Sequence, residues 1–540
     1  MKRYIKNIIP AALMAFSVGM MTSCTSDLDV TPIDPNLALL TPETVPSLFN
    51  KCYANIALAG NSDPDGDCDI NGLDGGTTGM VRQMFNVNEL STDEAICCWI
   101  GDPGIPDFNF NTYDASHPMV KGYYYRLYNG ITLCNHYLSV AADYDATMTA
   151  EIRFLRAFYY YLAMDAFGNI PFTTEVSSAA APQYTRAQVY EFIESELLDI
   201  ESSLSQAKAK NSSDPMYGRV DQAGCWFLLM RLYLNAEVYT GTAQWQKAAD
   251  YAKKVIDSPY KLNTTSTQKW TAYQMLFMGD NGESAASSEA VFPILGDGMT
   301  TASYGTFHFL MASTFTGDMM VDPSASTVNG SSDGSWGGNR ARPELIAKFF
   351  PNGDAPDIPS YDMIIAAGDD RAIFWGLDRT LSVDDISEFK SGYSVAKFMN
   401  HKSDGSAGHD AKFPDGDFFM FRVAEAYLTY AEATAHLNGN MTTTEGTKYV
   451  NDIRTRAHAA TNSRYTLDEL CDEWSREFYF EGRRRTDLVR FGKYGGNTNY
   501  TWQWKGGVKE GINFSSTKNI YAIPTDEIIQ NSNLVQNPGY

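Results

Sequence analysis

Trp336 is the one aromatic in the stretch NGSSDGSWGGNR, residues 329–340. Gly, Ser, Asn and Asp favour turns and cannot fill a core, so this segment is predicted to be a surface loop. An indole in that setting has two readings. It packs back onto the protein, or it is held out as a flat apolar platform with a hydrogen-bonding edge. The flanking Gly and Ser are expected to let the ring adjust to a bulky ligand. Aromatics make up 13% of the chain and are rich in Tyr and Trp, a palette that suits carbohydrate and equally suits plain helix packing.

Hydrolysis is the competing chemistry. A glycosidase needs two carboxyl groups flanking the scissile bond, but 65 acidic residues place candidate pairs everywhere and single none out. The HExxH and GxxxxGK[ST] spellings are absent, and strand and helix patterns do not alternate. His409 beside Asp410 is the one suggestive pair among seven dispersed His, and a solvated loop accounts for it. The expectation is a binding protein without catalysis. Eight Cys show no CxxC and no metal-like Cys/His spacing. Cys134, Cys225 and Cys471 fall in helical patterns as small buried residues, while Cys52 and Cys68 have the option of pairing.

Long helical patterns must hold such loops in place. EIRFLRAFYYYLAMDAF (151–167) carries Phe154, Leu155, Phe158, Leu162 and Ala166 along one side, and GNIPF ends it with a glycine and a proline. Residues 221–257 read as two amphipathic helices joined by a Gly-Thr turn, like a tetratricopeptide hairpin. A second pair spans 421–437 and 448–457, and a further helix is predicted over 467–491. Between these, residues 60–115 and 279–415 are rich in Gly, Asp, Asn, Ser and Pro with scattered aromatics; loops that long are either functional or disordered. Short apolar phrases such as AVFPI (290–294) argue for order. The fold class is therefore mainly α: a tetratricopeptide-like helical-repeat scaffold with a large irregular loop-rich face.

The N-terminus reads as a secretory signal: Lys2, Arg3 and Lys6, then an apolar run over 8–21, then Thr-Ser-Cys. The run is short of the roughly 20 residues a membrane span needs. The Ser-Cys junction looks like a bacterial lipobox, which makes residues 1–23 the signal, Cys24 the acylated first residue, and 24–540 a single domain. Asp27 and Asp29 resemble an acidic signal for export to the outer face of the outer membrane. Removing 1–23, with three basic and no acidic groups, takes the net charge from −23 to −26. That charge opposes binding to nucleic acid and to anionic lipid.

AEIRFLRAFYYYLAMDAFGNIPF (150–172), FRVAEAYLTYAEA (421–433), EWSREFYFEGRRRTDLVRFGKY (473–494) and the closing IPTDEI and QNPGY together resemble the SusD/RagB family of outer-membrane nutrient-binding lipoproteins, from the first third of the chain to its end. FNVNELSTDEAICCWIGD, LFMGDN, SYG, AGDDRA and WKGG resemble starch-binding members in order. There, two Trp and one Tyr form an arc under a curved α-glucan, and an Arg with polar neighbours bonds the hydroxyls. The resemblance puts Trp99, Tyr304 and Trp336 in the arc and Arg82 and Asp74 beside it. Asp102 stands where those proteins have Asn. Each residue keeps a plainer reading: Trp99 as a core anchor, Tyr304 as a turn brace, Trp336 packed back, Arg82 paired with a nearby carboxylate. GDNGES (279–284) resembles a calcium loop, which would make Asp280, with Glu283 and Asp415, its ligands; a solvated acidic turn is the alternative, and no cofactor is required. The charges of EGRRRTDLVRF are expected to bridge scaffold helices. The resemblance further implies a SusC-like TonB-dependent transporter as partner, a cell-surface location and no nucleic acid. It leaves room for other glycans or peptides as cargo, and less readily for a protein-binding scaffold.

Overall fold

A computed structural model describes residues 41, 43–60, 64 and 68–540. The signal segment 1–23 and Cys24 lie outside the described residues. The chain divides into two compact units, Met1–Ser47 and Leu48–Tyr540. Of the first, the described residues are a turn leading into the Val45–Ala57 helix; the second carries everything that follows. Among the described residues no helix is long and apolar enough to cross a membrane.

The scaffold is a series of helical hairpins. Pro118–Val140 packs on Ala146–Phe167, which packs on Arg186–Ile200; Gln222–Leu234 packs on Trp245–Asp257, and that on Ala424–Leu437, which pairs with Thr444–Arg456. Several starts have a local cause. Asp145 accepts from the Met148 amide at 2.8 Å, which begins its helix at Ala146, five residues before the segment read as helical from Glu151. Thr185 with Gln188, and Thr466 with Glu469, form reciprocal caps that satisfy otherwise orphaned amides. Gly168, at φ 71°, ends the Ala146–Phe167 helix where the sequence placed its stop. The hairpin over 221–257 is present, with Gly241 at φ 75° in its turn.

AVFPI is a strand, Ala290–Ile294, antiparallel to Phe418–Arg422. This pair is the seam between scaffold and loops. Phe292 meets Phe154 and Phe158 edge-on at 5.9 and 6.0 Å, and Phe421 stacks on Phe227 at 4.5 Å. All five rings are buried, so the seam is a dry aromatic core that fixes the loop-rich face against the helices.

Two expectations about elements change. The helix predicted over 467–491 is broken into Leu467–Phe478 and Arg484–Arg490, with Phe480 at φ 64° and Gly482 at φ 77° between them. Across the break Glu477 and Glu481 converge on Arg422, while Arg484 turns to Asp93. Arg422 binds Glu477 at 2.6 Å, Glu481 at 2.8 Å and Glu289 at 3.1 Å; Arg371 binds Asp369 at 2.8 Å and Glu473 at 2.7 Å. Second, NVNELSTDE, inside the stretch expected to be loop-rich, is wholly buried. Its acids are the partners of EGRRR: Asp93 pairs with Arg484 at 2.8 Å and with Lys348 at 2.9 Å, and Glu89 accepts from the Gly482 amide at 2.6 Å. Charges on EGRRRTDLVRF do bridge the scaffold, Arg490 to Glu432 at 2.6 Å and Arg485 to Asp165.

Burial opposes the charge on Glu473 and Glu477, but the surrounding arginines, Arg371, Arg476 and Arg454 on the first and Arg456, Arg422 and Arg371 on the second, outweigh it and hold both carboxyls at about 2. Folded values below the unfolded ones give stability that is complete above the unfolded carboxylate range and lost as pH falls through the folded values. The share of stability that Glu473 and Glu477 contribute is therefore expected to be constant from neutral pH to about 5 and the thermal midpoint to fall steeply between about 4 and 2. Scanning calorimetry across that range checks it; a midpoint unchanged at pH 3 would contradict it.

Candidate functional site

Asp74 caps the Gly75–Thr78 turn, accepting from the Thr77 amide at 2.9 Å. The next helix, Met80–Phe85, carries Arg82, whose backbone amide donates to Gly305 O at 2.9 Å. That bond ties the Arg82 helix to the loop bearing Tyr304. The Arg82 guanidinium lies 5.0 Å over the Phe309 ring, and its Nε is buried with no partner. Burial pushes its pKa down, against the pull of nearby Asp102 and Asp74. A guanidinium stripped of water on one side and lacking a full set of acceptors is suited to hydrogen-bond a neutral polar ligand.

Trp99 follows the strand Ala95–Cys97, which pairs with Asn339–Ala341. Its Nε1 donates to Gly337 O at 2.9 Å, and the Cys98 amide donates to Gly338 O at 3.0 Å. A Cβ on Gly338 would stand 2.3 Å from the Trp99 ring. Only glycine permits that approach, so the Trp-Gly-Gly spelling has a packing cause. On its other side the loop is zipped to the end of the Phe307–Ala312 helix: Trp336 N to Ala312 O at 2.9 Å, Gly337 N to Phe315 O at 2.9 Å and Gly338 N to Ser313 O at 2.8 Å. The expectation that Gly and Ser leave Trp336 free to adjust is thereby corrected, because its backbone is pinned on both flanks.

The Trp336 ring is pinned too. Its Nε1 donates to Asp333 Oδ1 at 3.0 Å, and the ring rests on His308 at 5.0 Å between centroids. Tyr304 lies 5.9 Å from Trp336, 5.3 Å from His308 and 5.0 Å from Phe413. His308 is buried, with one ring nitrogen 3.0 Å from Asp333 O, and burial lowers its pKa to about 4, so it backs the platform as a neutral ring. Trp99, Tyr304 and Trp336 are each half-buried, keeping part of a face in solvent.

Asp74, Arg82, Tyr304 and Trp336 line one cleft of about 700 Å³. Trp99 stands outside its lining, coupled to it through Gly337 and through Phe309, which it meets at 6.5 Å and over which Arg82 also lies. Asp102 is exposed, its amide bonded to Trp99 O at 3.0 Å. The sequence reading missed Met299, Thr300 and Ser303, which complete the wall beside Tyr304, and the supports Asp333 and His308. Asp333 was legible in principle, three residues before Trp336 within one turn. His308 was not, because an isolated His carries no sign of the rings it backs.

The three carboxylates named for calcium do not form a ligand set. Both Asp280 oxygens accept from Ser403, and the Lys402 ammonium sits 3.4 Å from Glu283 and 3.2 Å from Asp415. A cation of the protein's own thus occupies the space between two of the three, an arrangement that does not fit calcium. Among the described residues no group of three or more His, Cys, Asp or Glu is placed to hold a metal. Residues 330–334 do spell a G-x-S-x-G, GSSDG, but Ser332 is exposed in a loop and its amide bonds Ala411 O at 2.8 Å. It lacks the strand-to-helix turn that such a nucleophile requires.

Residues 363–540 match the model of the SusD family. Over its full length the chain is 38% identical to the starch-binding protein SusD of Bacteroides thetaiotaomicron, covering 99% of that protein. It is 26% identical to SusD-like protein P2 of Formosa agariphila, across 82% of this chain and 85% of the other. Among solved structures, surface glycan-binding protein A of Bacteroides uniformis superposes with a TM-score of 0.66 at 20% identity, over 92% of this chain and 99% of that one. Surface glycan-binding protein A of Bacteroides thetaiotaomicron in complex with laminarihexaose gives 0.64 at 21% identity, over the same shares. These structural likenesses bear on the fold.

Proposed function

This chain belongs to the SusD family, and on that footing we propose that it captures an α-glucan of the starch type on the face carrying Trp99, Tyr304 and Trp336, without cleaving it. The observation that carries the reading is the pair Tyr304 and Trp336, half-exposed and 5.9 Å apart, in one cleft with Arg82 and Asp74. End-to-end identity of 38% with a starch-binding protein supports the choice of ligand. A pyranose presents axial C–H groups on its face and hydroxyls at its rim, so rings take the face while Arg82 and the carboxylates of Asp74 and Asp102 take the rim. Each platform covering about 75–100 Å² contributes about 2 kcal/mol gross, and association costs remove much of that. The result is modest affinity per site. A polymer with many equivalent sites raises retention without new contacts, and weak individual contacts favour handover.

Handover has a destination in the same proposal: a SusC-like TonB-dependent transporter in the outer membrane, with the protein held at the cell surface by lipid on Cys24. Native gels containing amylopectin, laminarin, a fructan or xylan test the cargo. Amylopectin is expected to retard the protein most. Free migration in amylopectin with retardation by another glycan would end the α-glucan assignment, and maltoheptaose shortened during incubation would end the non-catalytic one. Cys24→Ala is expected to release the protein from membranes after a high-salt wash; full retention would remove the lipid from the account.

A further inference from the structure

The Val45–Ala57 and Pro118–Val140 helices meet in opposite directions. Phe49 contacts Tyr137, ring centroids 6.1 Å apart, and further along Asn55 Oδ1 accepts from Asn129 Nδ2 and from an Arg126 guanidinium nitrogen, both at 2.9 Å. Cys52 lies midway between Phe49 and Asn55, and Cys134 lies between Asn129 and Tyr137, so the register sets one thiol opposite the other. Both side chains are fully buried, and Cys52 is among the groups that push the Cys134 thiol up. We propose that Cys52 and Cys134 form a disulfide as the exported chain folds, stapling the Val45–Ala57 helix to the Pro118–Val140 helix.

The other thiols are engaged elsewhere. Cys68, the partner that sequence left open for Cys52, has its sulfur 3.0 Å from Thr78 Oγ1 and 3.4 Å from the Ile70 amide. Cys225 donates to Leu197 O at 3.3 Å, and Cys471 packs with Leu488, Tyr494 and Trp502. Cys97 and Cys98 are neighbours at the end of a strand, where successive side chains point to opposite faces.

In the reaction two S–H bonds break and one S–S bond forms, releasing two protons and two electrons. The electrons reduce a second disulfide, low-molecular-weight or protein-borne, in the export compartment: one cysteine thiolate attacks it, forming a mixed disulfide and releasing one thiolate of the oxidant, and the other cysteine attacks that mixed disulfide and expels the oxidant's second thiolate. Burial pushes the Cys134 thiol well above its ordinary value, so thiolate is scarce once the helices have closed. Exchange therefore belongs to folding, before the Val45–Ala57 helix docks. The helix runs directly into Leu58, Ala59 and Gly60, which line the cleft, so the bond fixes that wall. It also carries any pull from the N-terminal tether, a consequence that rests on the Cys24 reading.

The full chain, exported and extracted in detergent, is alkylated with N-ethylmaleimide in denaturant without reductant, then digested and mapped by mass spectrometry. The expected result is one unalkylated, disulfide-linked pair of peptides containing Cys52 and Cys134, with maleimide on Cys68 and Cys225. Cys134→Ser is expected to leave Cys52 fully alkylated. Maleimide on both Cys52 and Cys134 in the wild-type chain, or Cys52 linked to any other cysteine, overturns the proposal. The map is independent of what the cleft binds, so it stands or falls apart from the glycan assignment.

Discussion

Trp336→Ala is expected to weaken α-glucan binding by about tenfold or more while leaving the fold intact. The ring is a half-exposed platform whose loss removes about 2 kcal/mol of gross contact, and 1.4 kcal/mol corresponds to a factor of ten. The backbone around it is held by bonds from residues 336–338 to the end of the Phe307–Ala312 helix, which do not use the indole. The thermal midpoint should therefore move by no more than a few degrees. Trp336→Phe keeps a flat face but loses the bond to Asp333 Oδ1, so it should fall between wild type and alanine. Tyr304→Ala should act in the same direction, and the double variant should lose less than the sum, because the two rings brace one another. Isothermal titration with maltoheptaose measures all four; an alanine variant that binds as wild type does would remove Trp336 from the site.

The largest effect on stability is expected at Glu477. Its carboxylate is fully buried and bound by Arg422, Arg456 and Arg371. Glu477→Ala removes the anion and leaves three guanidinium groups short of a counter-charge in a dry site. Removing one partner of a buried pair costs about 3–5 kcal/mol, a large part of the stability of an ordinary domain. The expected outcome is a denaturant midpoint lowered by several tenths of a molar or a chain that does not fold. Glu477→Gln keeps the shape and part of the hydrogen bonding and should recover some of the loss. A near-neutral alanine variant in urea titrations would show that Glu289, Glu473 and Glu481 alone balance the cluster.

The scaffold was legible where a helix advertises itself locally, as in the stripe from Phe154 to Ala166; the caps Asp145, Thr185 and Thr466, each within one turn of the helix it starts, were signals of the same local kind that went unread. The interruption at residues 479–483 carried one local sign, Gly482, which the helical spacing on either side overrode; the groups that bind across it, Arg422 and Asp93, lie far away in the chain. The same distance hid the burial of NVNELSTDE, whose polar composition reads as a surface loop until Arg484 and Lys348 are placed against it. At the candidate site, Trp336 stood out because its neighbours cannot pack. Its two glycines carried a misleading signal: freedom in the chain, where the fold needs room for the Trp99 ring. The loop 279–284 was read by resemblance as a calcium loop or as a solvated acidic turn, and neither reading could show Lys402, more than a hundred residues on, beside Glu283 and Asp415.

Crystals grown with maltoheptaose test the central claim most directly. The account predicts glucose rings seated on Tyr304 and Trp336, continuing toward Trp99, with a sugar hydroxyl accepting from Arg82. A glucan bound on another face, with those rings bare, would contradict it.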